Sequence, residues 1–274
     1  MAQVIKSSSD LKKDYRKHKR RYHLWMLLGL LFWLVFAWNI SQTKRFDERL
    51  FIATFIGFGI AGSLGKWEEK RAKVLLGGLE GENKSLAVLS SLPNDYIVIP
   101  NVEINVPSAG RTELDQVVIG PGGLFIVETK NYHGILKGKA EDEKLQKIKI
   151  SPAGETYTDY VKNPVRQIKR QVHILKQYLG QCGLHPYING IVYLVHPDVT
   201  WKVTDMNSDI SVICSGKGGE QELRKKILSG GAGRLTAAEI KKTTCYTGKN
   251  YGSENFAKCG ENLLYYHILS ICYT

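Results

Sequence analysis

Hydrophobic positions are unevenly distributed along this chain of 274 residues. Leu24 to Ile40 runs for 17 residues without a charge, and Leu50 to Gly65 for another 16. As a helix each covers roughly 25 Å at ~1.5 Å per residue, close to the lower limit for crossing a bilayer. Trp25, Trp38 and Trp67 stand near the ends of these runs, where interfacial rings belong. No small-x-small cleavage site follows Ile40, and a second apolar run does, so a two-pass hairpin is expected rather than a cleaved leader. A helical stretch then runs from Glu68 to about Leu92, interrupted by Gly77, Gly78 and Gly81. Tyr96–Val106 is β-rich and partly alternating. Leu114–Ile119 and Leu124–Thr129 are apolar runs joined by Gly120-Pro121-Gly122-Gly123, which predicts a hairpin. Asn163 and Pro164 supply an N-cap and a first-turn proline for a helix with Val165, Ile168, Val172, Leu175 and Leu179 on one face. Gly190–Val195 and Ile210–Cys214 read as further strands, and the tail from about Gly216 as two basic helical fragments with an aromatic end. Strands, then a helix, then another strand predict a mixed α/β sheet.

Charge changes this picture only in the first quarter. Residues 1–73 hold 15 Lys/Arg against 6 Asp/Glu, and residues 74–274 hold 23 against 20. The formal charge of +12 therefore belongs mostly to the anchor, and net charge alone does not identify a nucleic-acid binder. The five cysteines are an odd number without a C-x-x-C pair, which disfavours a secreted disulfide scaffold. Seven basic residues from Lys12 to Arg21 flank the first apolar run, three lie in Ser41–Arg49, and Lys66, Lys70, Arg71 and Lys73 follow the second. Both termini are thus expected in the cytoplasm, with the first flank available to anionic lipid. Ala53, Gly57, Ala61 and Gly65 form a small-residue stripe that suits either the first segment or a homodimer. Gly57 to Gly62 matches G-x-G-x-x-G, but no strand precedes it, so a dinucleotide site is not expected there.

Chemistry concentrates in the hairpin. A four-residue turn pairing Ile119 with Leu124 sets Asp115 opposite Glu128 and Glu113 opposite Lys130. Asp115, Glu128 and Lys130 then share a face with Val117, Ile119, Leu124 and Ile126. Two facing carboxylates repel and call for a shared proton or a cation, and a hard ion such as Mg²⁺ suits them. Lys130 is placed to orient or deprotonate a water, or to stabilise charge on a phosphate. The alternative is a salt-bridged strand end. An [Asp/Glu]-x-Lys triplet occurs six times in the chain, and only that at Glu128 ends an apolar strand in register with an Asp. Cys182 with His185 lacks an orienting third group. Cys245, Cys259, His267 and Cys272 fit no usual zinc spacing, and Ser215–Gly219 lacks a phosphate-loop frame.

Leu79–Glu82, Thr112–Gly120, Gly123–Gly134 and Asn163–Gln167 together resemble the nuclease-related domain (NERD) family, in the expected order over roughly Gly77 to Val195. The resemblance implies a restriction-endonuclease-like α-β-β-β-α-β core, with metal ligands Asp115 and Glu128 and a catalytic Lys130. It also implies that Glu82, on the first helix, and Gln167, on the later one, complete the site. The organisation expected is a basic segment 1–23, a two-pass anchor 24–65, a linker helix 66–76, the nuclease-related domain 77–200 and an extension 201–274. The function expected is a membrane-anchored, Mg²⁺- or Mn²⁺-dependent nuclease on the cytoplasmic side, with DNA favoured over RNA. The alternative is a catalytically silent, membrane-tethered interaction module for nucleic acid or protein.

Overall fold

The computed structural model describes residues 1–5, 10–44, 46–151, 154–206, 209–216, 218–230 and 233–248. Cys259, His267, Cys272 and the aromatic end lie outside them. Contacts divide the chain into two compact units, one within Ser8–Glu80 and the other within Met1–Ser7 and Gly81–Thr274.

The first unit is a helical hairpin of α1 (Asp10–Thr43) and α2 (Glu48–Ser90), whose last turns belong to the second unit. Asp47 starts α2 by accepting hydrogen bonds from the Arg49 and Leu50 amides, 3.0 and 3.2 Å away. Both helices are long and apolar enough to cross a membrane. Leu27, Leu31, Trp33, Phe55 and Ile56 point outward, fully against the habit of a soluble core helix. Gly57, Ala61 and Gly65 of the small-residue stripe pack inward on α1, whereas Ala53 is exposed. A Cβ on Gly57 would come within 2.9 Å of the Phe32 ring, one on Gly29 would stand 3.7 Å from the Ala61 methyl, and one on Gly65 would stand 3.7 Å from Trp25. A homodimer through Ala53, Gly57, Ala61 and Gly65 would have to displace that packing. Beyond the apolar stretch, the buried Glu68 carboxylate bonds His18 and lies 3.8 Å from the Arg21 guanidinium. The expected break at Gly77, Gly78 and Gly81 is absent, because α2 runs unbroken through them. A helical glycine costs about 1 kcal/mol against alanine, which weakens a helix without ending it.

The second unit is built on a six-stranded sheet. Its strands are β1 (Gln3–Val4), β2 (Ile97–Val106), β3 (Gly110–Gly120), β4 (Gly123–Lys130), β8 (Ile188–Leu194) and β10 (Ile210–Cys214), in the spatial order β1-β2-β3-β4-β8-β10. β2, β3 and β4 are antiparallel, whereas β8 runs parallel to β4 and β10 parallel to β8. The parallel step needs a crossover, which α3 (Pro164–Gln181) supplies. Asn163 caps α3 through its side chain, accepting from the Val165 amide at 3.0 Å. α3 covers one face with Val165, Ile168, Leu175 and Leu179, all buried with Val117, Ile119, Leu124 and Ile126. Val88, Leu89 and Leu92 at the end of α2, with Leu223 and Ile227 of α4 (Gly219–Leu228), cover the other face over Val118, Phe125 and Val127. β10 pairs within this sheet, so the boundary expected at residue 200 falls inside it. The last described helix is α5 (Ala237–Gly248).

The expected order α-β-β-β-α-β is present as α2, β2, β3, β4, α3 and β8, with three strands inserted before α3. β5 (Gly134–Lys139), β6 (Lys144–Ile150) and β7 (Thr156–Lys162) join β9 (Val199–Thr204) in a second sheet ordered β7-β6-β5-β9. Lysines interleaved with short apolar runs gave these strands no clean alternation.

The hairpin turn is fixed by one aromatic ring. Tyr96 is buried, its hydroxyl accepts from the Gly122 amide at 3.1 Å, and a Cβ on Gly120 would fall 2.3 Å from its ring. Gly120→Ala is therefore expected to cost about 1–3 kcal/mol through overpacking. Urea denaturation followed by fluorescence checks this, and an unchanged midpoint would contradict the contact.

Candidate active site

The β3–β4 ladder runs from Gly120–Gly123 to Gln116–Val127 in the register expected. It stops one pair short of Asp115 and Glu128. β3 switches its inward-facing set at this point, since Leu114 and Val117 are both buried in the same core. The switch lies opposite Asn101, which has φ +52° between two regular stretches of β2. Asp115 thus leaves the ladder, and its Oδ2 accepts a hydrogen bond from the Thr129 amide at 2.8 Å. Glu113 does not pair with Lys130 in the ladder either. The carboxylates still interact, because Asp115 feels both Glu128 and Lys130.

Glu128 is the centre of the site. Its carboxylate is fully buried, and every donor around it is short. Lys130 Nζ and Gln167 Nε2 each lie 2.6 Å from Oε1, and Gln171 Nε2 lies 2.6 Å from Oε2. Three donors, one of them charged, offset the cost of removing a carboxylate from water. Gln167 and Gln171 are four residues apart and project from the same side of α3, so one helix face serves both oxygens. Gln171 escaped sequence reading. The Gln-x-x-x-Gln spacing on the apolar face of α3 was the available signal. The amide oxygen of Gln171 is buried without a hydrogen-bond partner among the described residues.

α2 contributes Glu82, and Gly81 sets its approach. A Cβ at Gly81 would stand 3.2 Å from the side chains of both Asn131 and Val195, so any side chain there would crowd the segments just after β4 and β8. One turn on, Ser85 donates to Gln116 Oε1 at 3.0 Å, and Thr129 donates to the same oxygen at 3.0 Å. This buried polar trio fixes the end of α2 against the hairpin.

The electrostatics follow from an excess of acids over one lysine. Burial pushes the Glu82 pKa up to about 7, and the Glu113 and Glu128 carboxylates add to the rise while Lys130 opposes it. Burial, then Glu128, raise Asp115 well above the usual carboxylate range. Burial works against the Lys130 charge, but Glu128 and Asp115 outweigh it and hold the ammonium above its ordinary value. The neighbouring carboxylates thus favour the charged form of Lys130. Among the described residues no group of three or more His, Cys, Asp or Glu side chains gathers to hold a metal ion. The donors present suit an ion that takes two carboxylates and fills its remaining positions with water and phosphate oxygens.

An acid with a raised folded-state pKa contributes stability below its ordinary pKa and loses it as pH climbs through the raised one. In chelator, Glu82→Gln is expected to melt progressively higher than wild type as pH rises from about 4.5 to about 7.5, the window bracketing the shift to about 7. Superimposed melting curves across that window would contradict the assignment. Gly81→Leu is expected to lower stability by about 1–3 kcal/mol through overpacking and to displace Glu82. Thermal melting with the titration of Glu82 checks both effects.

The chain is 40% identical over 62 residues to an uncharacterized protein of Bacillus anthracis, covering 22% of this chain and 29% of that protein. The chain therefore spans less than a third of the curated relative it matches. No solved structure matches it significantly. Glu82, Asp115, Glu128, Lys130, Gln167 and Gln171 all fall inside one matched segment, for residues 77–195 match the sequence model of the Nuclease-related domain family and carry a nuclease-related domain.

Proposed function

We propose that the chain is a membrane-anchored, metal-dependent nuclease that hydrolyses nucleic-acid phosphodiesters on the cytoplasmic side. The observation that carries this reading is the buried Glu128 carboxylate held by Lys130, Gln167 and Gln171 beside Asp115. A structural ion pair needs no second, half-buried acid at its side. Asp115 and Glu128 are the residues that would hold Mg²⁺ or Mn²⁺. The ion, when bound, supplies Lewis-acid polarisation of the phosphate and a water of lowered pKa. The protein's own parts have separate tasks. Lys130 presents a permanent positive charge to the negative charge that develops on the phosphate. Gln167 and Gln171 aim the Glu128 carboxylate, and Thr129 aims that of Asp115. Glu82, with a pKa near 7, can hold or release a proton at neutral pH. DNA is the preferred substrate class in this proposal.

The apolar hairpin supports anchoring, and the basic flank Lys12–Arg21 supports termini in the cytoplasm. A reporter fused after Thr274 should be active inside the cell. Activity only outside would overturn the orientation and remove the substrate from reach.

The catalytic test uses the full chain in detergent or nanodiscs with Mg²⁺ or Mn²⁺ and a panel of DNA and RNA forms. Divalent-dependent cleavage is expected. Lys130→Gln should lower turnover by about 10²–10³ with nucleic-acid binding retained, the scale of losing one charge-stabilising group. Binding without cleavage under every condition would establish the silent module instead.

A further inference from the structure

The second sheet brings an unassigned group of cations beside the candidate site. Tyr132 and His133 follow Lys130 on the link from β4 to β5. The rings of His133 and His196 lie with centroids 5.4 Å apart, His196 coming from the loop after β8. Lys147 of β6 places its Nζ 5.2 Å from the centre of the Tyr132 ring. Lys149 leaves β6 on the same face, two residues on. Its stem reaches back to the link, since a Cβ at Gly134 would stand 3.5 Å from Lys149 Cγ. Four nitrogen-bearing side chains from three segments therefore converge.

Two acids lie near them, and they leave the cations unbalanced. Asp159 is opposite Lys147 in the β6–β7 ladder, and the exposed Asp198 carboxylate is 4.0 Å from His196 Nδ1. Burial and the Lys149 charge still hold Lys147 below the ordinary lysine pKa. Burial, then Lys149, Lys147 and His196, push His133 down, with Asp198 only partly opposing. A bound anion would relieve the repulsion that helps to lower Lys147 and His133. Lys147 and Lys149 are half-buried and His133 is exposed, so an anion has access. The adjoining ring of Tyr132 ties the group to the centre, for its hydroxyl is perturbed by burial, Lys130 and Glu128.

We propose that Lys147, Lys149, His133 and His196 form a phosphate-binding subsite that holds a backbone phosphate of the substrate strand next to the one being cleaved. The recognition chemistry is that of a phosphate. Only its assignment to a nucleic-acid strand rests on the nuclease reading. This subsite answers a difficulty raised by the weak net charge of residues 74–274, because phosphate contacts here come from local concentration of cations and not from overall basicity.

The test uses the full chain in detergent, in chelator so that no cleavage occurs. Binding of a fluorescent single-stranded oligonucleotide is measured across a salt series for wild type, Lys147→Gln/Lys149→Gln, Lys147→Arg/Lys149→Arg and the remote Lys225→Gln. The double glutamine variant should bind about tenfold or more weakly, with its salt slope reduced by about 0.7, the value for one phosphate on a single strand. The arginine variant should recover most of the affinity, and Lys225→Gln should match wild type. In parallel, inorganic phosphate should shift the imidazole resonances of His133 and His196 in wild type and not in the double glutamine variant. Phosphate shifts without any oligonucleotide binding would support the subsite with free phosphate as its ligand and would count against the nuclease reading. Equal oligonucleotide affinity and slope in all variants, with no phosphate shift, would overturn the subsite and leave the nuclease reading standing.

Discussion

A carboxylate removed from water must be met by donors, and the architecture around Glu128 meets that demand from three directions. Lys130 comes from the same strand, two residues on, while Gln167 and Gln171 come from the crossover helix. The parallel pairing of β4 with β8 requires that crossover, so the topology that completes the sheet also delivers the amides. Loss of any donor leaves part of a buried charge unsatisfied, which is costlier than loss of the same bond at the surface.

A second constraint is the parity switch in β3. Had the ladder continued, Asp115 would stand directly across from Glu128, and two bare carboxylates would repel at close range. The switch at Asn101 and Asp115 turns the Asp115 side chain to the Thr129 amide, with the two acids still in each other's field. Burial first, and the neighbouring carboxylates second, raise the pKa values of Asp115 and Glu82.

Much of this was legible in the sequence, because local rules governed it. The glycine-proline turn set the β3–β4 register, Asn163-Pro164 set the start of α3, and long uncharged runs marked the hairpin. Gln167 and Glu82 entered only through resemblance, and the structure brings both to Glu128 and Lys130. Other features depended on tertiary context. The unbroken α2 overrides three glycines because Gly81 is needed for close approach to Asn131 and Val195. The second sheet was missed because Lys144, Lys147 and Lys149 mask its alternation. Gln171 sits among the buried residues of α3, and its role appears only when Glu128 is seen beneath it.

The central claim is that Asp115 and Glu128 hold a divalent cation. Calorimetric titration of the full chain with Mn²⁺ and Mg²⁺, for wild type and Asp115→Asn, tests it most directly. Asparagine keeps an acceptor for the Thr129 amide and removes only the charge, so the fold should persist in a melting curve. The account predicts saturable binding by wild type and its loss in Asp115→Asn. Equal binding by both proteins, or none by wild type even with nucleic acid present, would contradict it.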